Sequence, residues 1–285
     1  MHRTTRRTAA IAAAAALAVP ATALAATIQG GPGNEHLRGT NAADLIDGNA
    51  GNDRIVGRAG DDHLTGGLGN DRVFGNAGRD VIRGVQGNDR LSGGTGDDTI
   101  TGDANDAGDR TSFDRIFGGP GNDTLRGGDS RDRVEGGSGN DTSFGENGND
   151  RMSGGPGNDT QDGGPGNDTI VANGGVDTSF GGEGDDTLWA LARSDVQPGP
   201  VDQVGDTLDG GNGDDAFHTR DGEVDRITCG AGNDRAFLDH VDVITDATAA
   251  APNGSCEQVQ RKGARGRGSR QENTNRASRA ERRNH

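Results

Sequence analysis

The chain has 285 residues, of which only 28% are hydrophobic and 3% aromatic, while 53 are glycine. That excludes an ordinary globular core, so order must come from something besides apolar burial. The formal net charge of −16 argues against nucleic acid or an anionic membrane surface as partners and favours cations.

Residues 1–25 read as an export signal: Arg3, Arg6 and Arg7 lead, Ala9 to Val19 are apolar, and Ala23-Leu24-Ala25 forms a small-x-small cleavage site. The apolar stretch is too short to span a bilayer comfortably, and no second one follows. A secreted, extracellular, monomeric product without a membrane span is expected. The Arg6-Arg7 pair leaves twin-arginine export open beside the general route.

Self-similarity at nine residues then runs from Gly30 to about Phe237, within a repeat domain set at 26–245. It reads GNAGNDRIV (48–56), GRAGDDHLT (57–65), GGLGNDRVF (66–74), GNAGRDVIR (75–83), GVQGNDRLS (84–92) and GGTGDDTIT (93–101). A seven-residue insertion (102–108) and a degenerate DRTSFDRIF (109–117) follow, then GGPGNDTLR (118–126) and further repeats to GGEGDDTLW (181–189). A second insertion near 190–200 precedes VDQVGDTLD (201–209) and GGNGDDAFH (210–218).

Each position has a physical reason. Glycines at positions 1, 2 and 4 permit positive φ, so six residues make a tight turn with inward carbonyls. The aspartate at position 6 adds a carboxylate, and carbonyls plus carboxylates form a hard-oxygen site suited to Ca²⁺. Positions 7 to 9 form a short strand, with position 8 inward. That slot holds Leu37, Ile46, Ile55, Leu64, Val73, Ile82, Leu91, Ile100, Ile116, Leu125, Val134, Met152, Ile170 and Leu188.

Position 7 alternates. Arg54, Arg72, Arg90, Arg115, Arg133 and Arg151 occupy every second repeat, while His63, Val81, Thr99, Thr124, Thr142, Thr160 and Thr178 fill the others. Alternate repeats therefore share a face, as an eighteen-residue coil requires. The parity survives the first insertion, which leaves the coil and returns.

The motif G-G-x-G-x-D-x-U-x, repeated in nearly one register, resembles the RTX, or haemolysin-type, calcium-binding nonapeptide repeat proteins, in a small, exported, stand-alone form. The resemblance implies an all-β parallel β-roll (β-solenoid) with two repeats per coil and multiple Ca²⁺ ions held between turns eighteen residues apart. The implied ligands are Asp53, Asp71, Asp89, Asp114, Asp132, Asp150, Asp168 and Asp186 on one edge. Opposite them stand Asp62, Asp80, Asp98, Asp123, Asp141, Asp159 and Asp177, with Asp206 and Asp215 beyond the second insertion. Stacked carboxylates repel, so the chain is expected to fold only as calcium binds.

Some repeats depart from the pattern. Glu35 takes the ligand slot of the first repeat, Ala42 a glycine position of the second, and Ser112 and Ser130 replace turn glycines, so weakened sites or edge half-sites are expected there. Ser143, Gln161 and Ser179 occupy position 8, followed by Phe144, Asp162 and Phe180. Either the register slips locally and turns the two phenylalanines inward, or a polar stripe lies inside an aromatic patch. Exposed phenylalanine is the costlier choice, so the slip is expected.

From Asp221 the period loosens. The two cysteines, Cys229 and Cys256, are in an oxidising compartment most simply a disulfide. The stretch around them resembles the C-terminal end of the same small exported proteins, which implies a disulfide-stapled cap with its capping segment at 246–260. Residues 261–285 carry eight arginines and Lys262 against Glu272 and Glu281 and are expected to be a disordered basic tail.

An extracellular, non-catalytic calcium-binding surface, matrix or adhesion module is the leading reading. Against an enzyme stand the lack of HExxH or G-x-S-x-G, scattered histidines, and Lys262 as sole lysine. Ice binding would need a regular turn threonine column, yet position 3 has threonine only at Thr95 and Thr111, leaving the outer Thr124–Thr178 column. The arginine row either binds an anionic polysaccharide or neutralises neighbouring carboxylates.

Overall fold

The computed structural model describes residues 25–103, 112–191, 205–219, 221–247 and 254–261. The expected export signal, apart from Ala25, and the basic tail, apart from Arg261, lie outside the described residues, as do most of the two insertions.

The described residues form 24 strands, in two parallel sheets of twelve. Every strand between the sheet ends pairs with the strand two before it and the strand two after it, so the chain alternates between the sheets. The first sheet opens with Thr27–Gln29 and the second with His36–Arg38. Pairing advances by eighteen residues: Ile55 faces Val73 and Val73 faces Leu91 on the second sheet, while Leu64 faces Ile82 and Ile82 faces Ile100 on the first. This is the β-solenoid with two repeats per coil. Among the described residues no helix is long and apolar enough to cross a membrane.

The strands are longer than positions 7 to 9. Arg54–Ala59 and Arg72–Ala77 each run on through positions 1 to 3 of the next repeat, leaving only positions 4 to 6 as turn. Gly51, Gly60 and Gly69 at position 4 have φ between +110 and +123°, where glycine escapes the Cβ clash. Position 1 needs glycine for a different reason. Its φ is not left-handed, but a Cβ on Gly75 would strike the Asp80 carboxylate. Positive φ at position 1, expected from sequence, is corrected to close approach.

Position 8 supplies the core. Ile46, Ile55, Val73, Ile82, Ile100, Leu125, Val134, Ile170 and Leu188 are wholly buried, one aliphatic side chain per half-coil stacking on the next. The expected register slip does not occur. Ser143, Gln161 and Ser179 are buried and aligned with Leu125 and Leu208, whereas Phe180 is 40% exposed. A slip would pull Asp141, Asp159 and Asp177 off their carboxylate-to-amide bonds of 2.8 Å, which outweighs exposing two rings. Phe144 is in addition covered by the Arg126 guanidinium, 4.4 Å from the ring centre. Gln161 reaches across the core: with its amide rotated to face matching partners, its nitrogen donates to Val171 O at 3.3 Å and its oxygen accepts from Gly154 N at 3.0 Å.

The first insertion begins later than its sequence suggested. Strand Thr99–Asp103 pairs on both sides, so Gly102 and Asp103 belong to the coil. The coils also continue past Asp221. Arg226–Thr228 and Arg235–Leu238 keep the pairing, and Val243–Ile244 and Gln258–Arg261 end the two sheets. Cys229 and Cys256 form a disulfide, Cα atoms 5.2 Å apart, that ties the last coils together.

Candidate metal centre

The turn aspartates line up because each occupies position 6 immediately before a strand paired at eighteen-residue steps. All seventeen aspartates anticipated from the sequence are buried, none more than 3% exposed. They form two columns, one along each edge of the solenoid. In the first, Asp53 N donates to Asp71 Oδ1, and the same bond repeats through Asp89, Asp114, Asp132, Asp150, Asp168, Asp186 and Asp215 to Asp234. In the second it runs from Asp62 through Asp80, Asp98, Asp123, Asp141, Asp159, Asp177 and Asp206 to Asp225. Every one of these bonds is 2.7–2.9 Å. Both columns bridge the insertions without a break.

Each carboxylate thus spends Oδ1 on an amide of the preceding coil. In fifteen of them the second oxygen is left over. The Oδ2 atoms of Asp53, Asp62, Asp71, Asp80, Asp98, Asp123, Asp141, Asp150, Asp159, Asp168, Asp177, Asp186, Asp215, Asp225 and Asp234 are buried without a hydrogen-bond partner. An unsatisfied buried carboxylate oxygen is strongly unfavourable. Beside it lies a backbone carbonyl: a Cβ placed on Gly48 would meet both Asp53 Oδ2 and Gly66 O, and one on Gly136 would meet Asp141 Oδ2 and Gly154 O. The carbonyls of Gly51 and Gly69 likewise point along the axis at the next turn's glycine.

The electrostatics match. Burial pushes Asp98, Asp141, Asp150, Asp168, Asp177, Asp186 and Asp206 up to about 7, with stacked carboxylates adding to the rise. Asp62, Asp71, Asp159 and Asp215 rise to about 6 for the same first cause, burial, and Asp225 to about 9. Without a cation the charged forms are disfavoured. Among the described residues no group of three or more His, Cys, Asp or Glu side chains converges on a metal position, so backbone carbonyls must complete any coordination shell. A shell of carbonyls with one or two carboxylates fits a hard divalent cation of flexible geometry, as calcium is, and not a thiolate- or imidazole-seeking metal.

Five acids escaped the sequence reading. Asp225 and Asp234 continue the columns. Asp234 sits in GAGNDRAF, a full motif whose signal was available, whereas Asp225 lacks the preceding turn glycines. Glu257 Oε2 takes the Asp234 amide at 2.8 Å and closes the first column, which Glu35 opens at the other end. Asp44 and Asp242 terminate the second column differently, because protein donors satisfy them. Asp44 Oδ2 accepts from Thr40 N at 2.5 Å, and Asp242 Oδ2 accepts from Thr219 Oγ1 and Asp239 N, both at 2.7 Å. Burial works to raise Asp44, but the Thr40 and Ala26 amides outweigh it and hold its carboxyl below the usual range.

Position 5 forms a further ladder. Asn52 N donates to Asn34 Oδ1, Asn70 N to Asn52 Oδ1 and Asn88 N to Asn70 Oδ1, each 2.7 Å. These bonds run along the axis in the opposite sense to the aspartate bonds, so adjacent coils grip each other from both sides. The six arginines Arg54, Arg72, Arg90, Arg115, Arg133 and Arg151 stand in one exposed row on the second sheet.

The family model described as RTX calcium-binding nonapeptide repeat (4 copies) matches residues 29–64, 47–82, 58–91, 83–106, 111–143, 144–161, 153–188 and 205–223, more than half of the chain. No curated protein matches it.

Proposed function

The chain belongs to the RTX calcium-binding nonapeptide repeat family and binds multiple calcium ions, and from that premise we propose that it is an exported, non-catalytic extracellular module that folds when the ions bind. The observation that carries the reading is the pair of columns of buried aspartates, fifteen of which have an unpartnered Oδ2. Asp53, Asp71, Asp89, Asp114, Asp132, Asp150, Asp168, Asp186 and Asp215 hold ions along one edge, and Asp62, Asp80, Asp98, Asp123, Asp141, Asp159, Asp177 and Asp206 along the other. Carbonyls of the glycine turns complete the shells. Bound calcium neutralises the stacked carboxylates, and its binding free energy becomes folding free energy. Asp44 and Asp242, already bonded by protein donors, close the second column without an ion.

The disulfide Cys229–Cys256 supports an oxidising, extracellular location. Millimolar calcium, the concentration range of extracellular modules, matches sites that rely mainly on backbone carbonyls with one or two carboxylates. The non-catalytic part rests on what the coils contain: inward side chains are aliphatic apart from a short stripe of Ser143, Gln161 and Ser179, or are carboxylates bonded to the amides of the preceding turn. A surface, matrix or adhesion role suits a rigid rod of this kind.

Circular dichroism during a calcium titration, with ion counting by calorimetry, tests the assignment on the wild-type chain and on Asp141→Asn/Asp159→Asn. We expect β signal to appear with calcium and not with magnesium, and the double variant to bind fewer ions. Equal ion counts in both proteins would remove these residues from the site, and β signal indifferent to chelator would remove calcium-driven folding.

A further inference from the structure

The arginine row has a setting that charge neutralisation does not explain. The turn carboxylates beside it are buried and bonded to backbone amides, so they are not its partners. Among the described residues the row makes one ion pair, Arg133 with Glu135. Arg54 and Arg115 lie over Phe74 and Phe113, at 4.7 and 5.2 Å from the ring centres. Among the described residues no ion pair reaches Arg72, Arg90 or Arg151.

The sheet face around the row shares its sign. Its six strands, from Arg54–Ala59 to Arg151–Ser153, contain seven arginines and a single acid, Glu135. The strands of the opposite sheet in the same coils, from His63–Leu68 to Thr160–Pro165, contain two arginines and four acids. A chain of net charge −16 therefore keeps one face cationic. Two grooves follow the row, one lined by His36, Asn52, Arg54, Asn70 and Arg72 with the buried Asp53 at its floor, the other by Arg115, Ile116, Phe117, Arg133 and Glu135.

We propose that this face binds an extended anionic polysaccharide laid along the solenoid axis. Six guanidiniums at about 4.8 Å per rung span roughly 24 Å in a straight line. A linear polymer bearing a carboxylate or sulfate on successive sugar rings presents charges in such a line, and each guanidinium offers a fork of donors to one anionic group. A nucleic-acid duplex fits less well: its phosphates, about 3.4 Å apart per strand, wind away from a flat row, and its width carries it over the acidic flanks. The face exists only on the assembled coil, so the inference rests on calcium-driven folding.

Calorimetry on the full chain in saturating calcium tests it with dextran sulfate, neutral dextran of equal length and a single-stranded oligonucleotide as probes. Circular dichroism of the same samples reports whether the coil has formed. We expect dextran sulfate to bind in a salt-dependent way, neutral dextran not to bind, and the oligonucleotide to bind more weakly. Arg72→Ser/Arg90→Ser/Arg151→Ser should weaken dextran sulfate binding about tenfold or more, as three lost charge contacts imply. Arg83→Ser/Arg126→Ser on the opposite sheet should leave it unchanged. A formed coil that ignores dextran sulfate, prefers the oligonucleotide, or binds equally after the triple change overturns the polysaccharide face and leaves the calcium reading standing. The probe ranking on wild-type protein decides the matter even if a variant fails to fold.

Discussion

Val85 stands at position 2 of its repeat with φ +94°, and Ser130 at position 4 with φ +87°. A β-branched side chain there costs about 1–2 kcal/mol in clash with its own backbone. We expect Val85→Gly to lower the calcium concentration needed for folding, offset partly by the greater freedom of the unfolded glycine. Gly69→Ala should act oppositely and more strongly, because φ is +123° and a Cβ would strike the Gly51 carbonyl of the preceding coil. Calcium-titration midpoints of the two variants decide this; equal midpoints, or an order reversed, would contradict it. The motif announces that glycine is needed at position 4. It does not announce which positions tolerate its loss, since Arg58 and Glu146 also hold positive φ at position 2, Glu146 with its carboxylate on Arg126.

At the scale of strands and coils, the carboxylate-to-amide ladder sets the register and the core adapts to it. Ser143 shows the consequence: it fills an aliphatic slot beside Leu125, and its Oγ is buried without a partner. Ser143→Val should stabilise the calcium-loaded coil by about 1 kcal/mol, since it removes an unsatisfied group. Gln161→Leu should do less or harm, because Gln161 bonds to Gly154 and Val171 on the facing sheet. Thermal melts in saturating calcium check both; a destabilised Ser143→Val would show that the register is set otherwise. The disulfide closes 27 residues, worth roughly 3–4 kcal/mol in the chain-entropy model. Its reduction should loosen the C-terminal coils first, because each coil touches only its neighbours; hydrogen exchange that rises uniformly along the chain would argue against this. The coil, its eighteen-residue period and the aspartate columns were legible from the nine-residue repeat. The register at Ser143 was not, because apolar patterning there competes with ladder bonds no pattern displays. Asp225 was missed because its carboxylate holds its place without the glycine turn that marks the others.

At the scale of the whole molecule, many carboxyls share one linkage. Asp98, Asp141, Asp150 and Asp177 rise in the coil from 3.8 to about 7, burial first and stacked neighbours second. A folded value above the unfolded one favours the metal-free coil below about pH 4, and that contribution is lost as pH rises through about 7. Calcium needs the ionised form, so its apparent affinity climbs over the same window. We expect the metal-free chain to hold more β structure at pH 4.5 than at pH 8, judged by circular dichroism; equal signals would contradict the linkage. Small-angle scattering at pH 8, before and after chelation, tests most directly whether calcium holds the columns together. With calcium, twelve strands per sheet stack into a rod about 53 Å long at about 4.8 Å per step. We expect chelation to swell the radius of gyration toward the roughly 60 Å of an unfolded chain of this length. An unchanged radius after chelation would contradict calcium as the element that holds the fold.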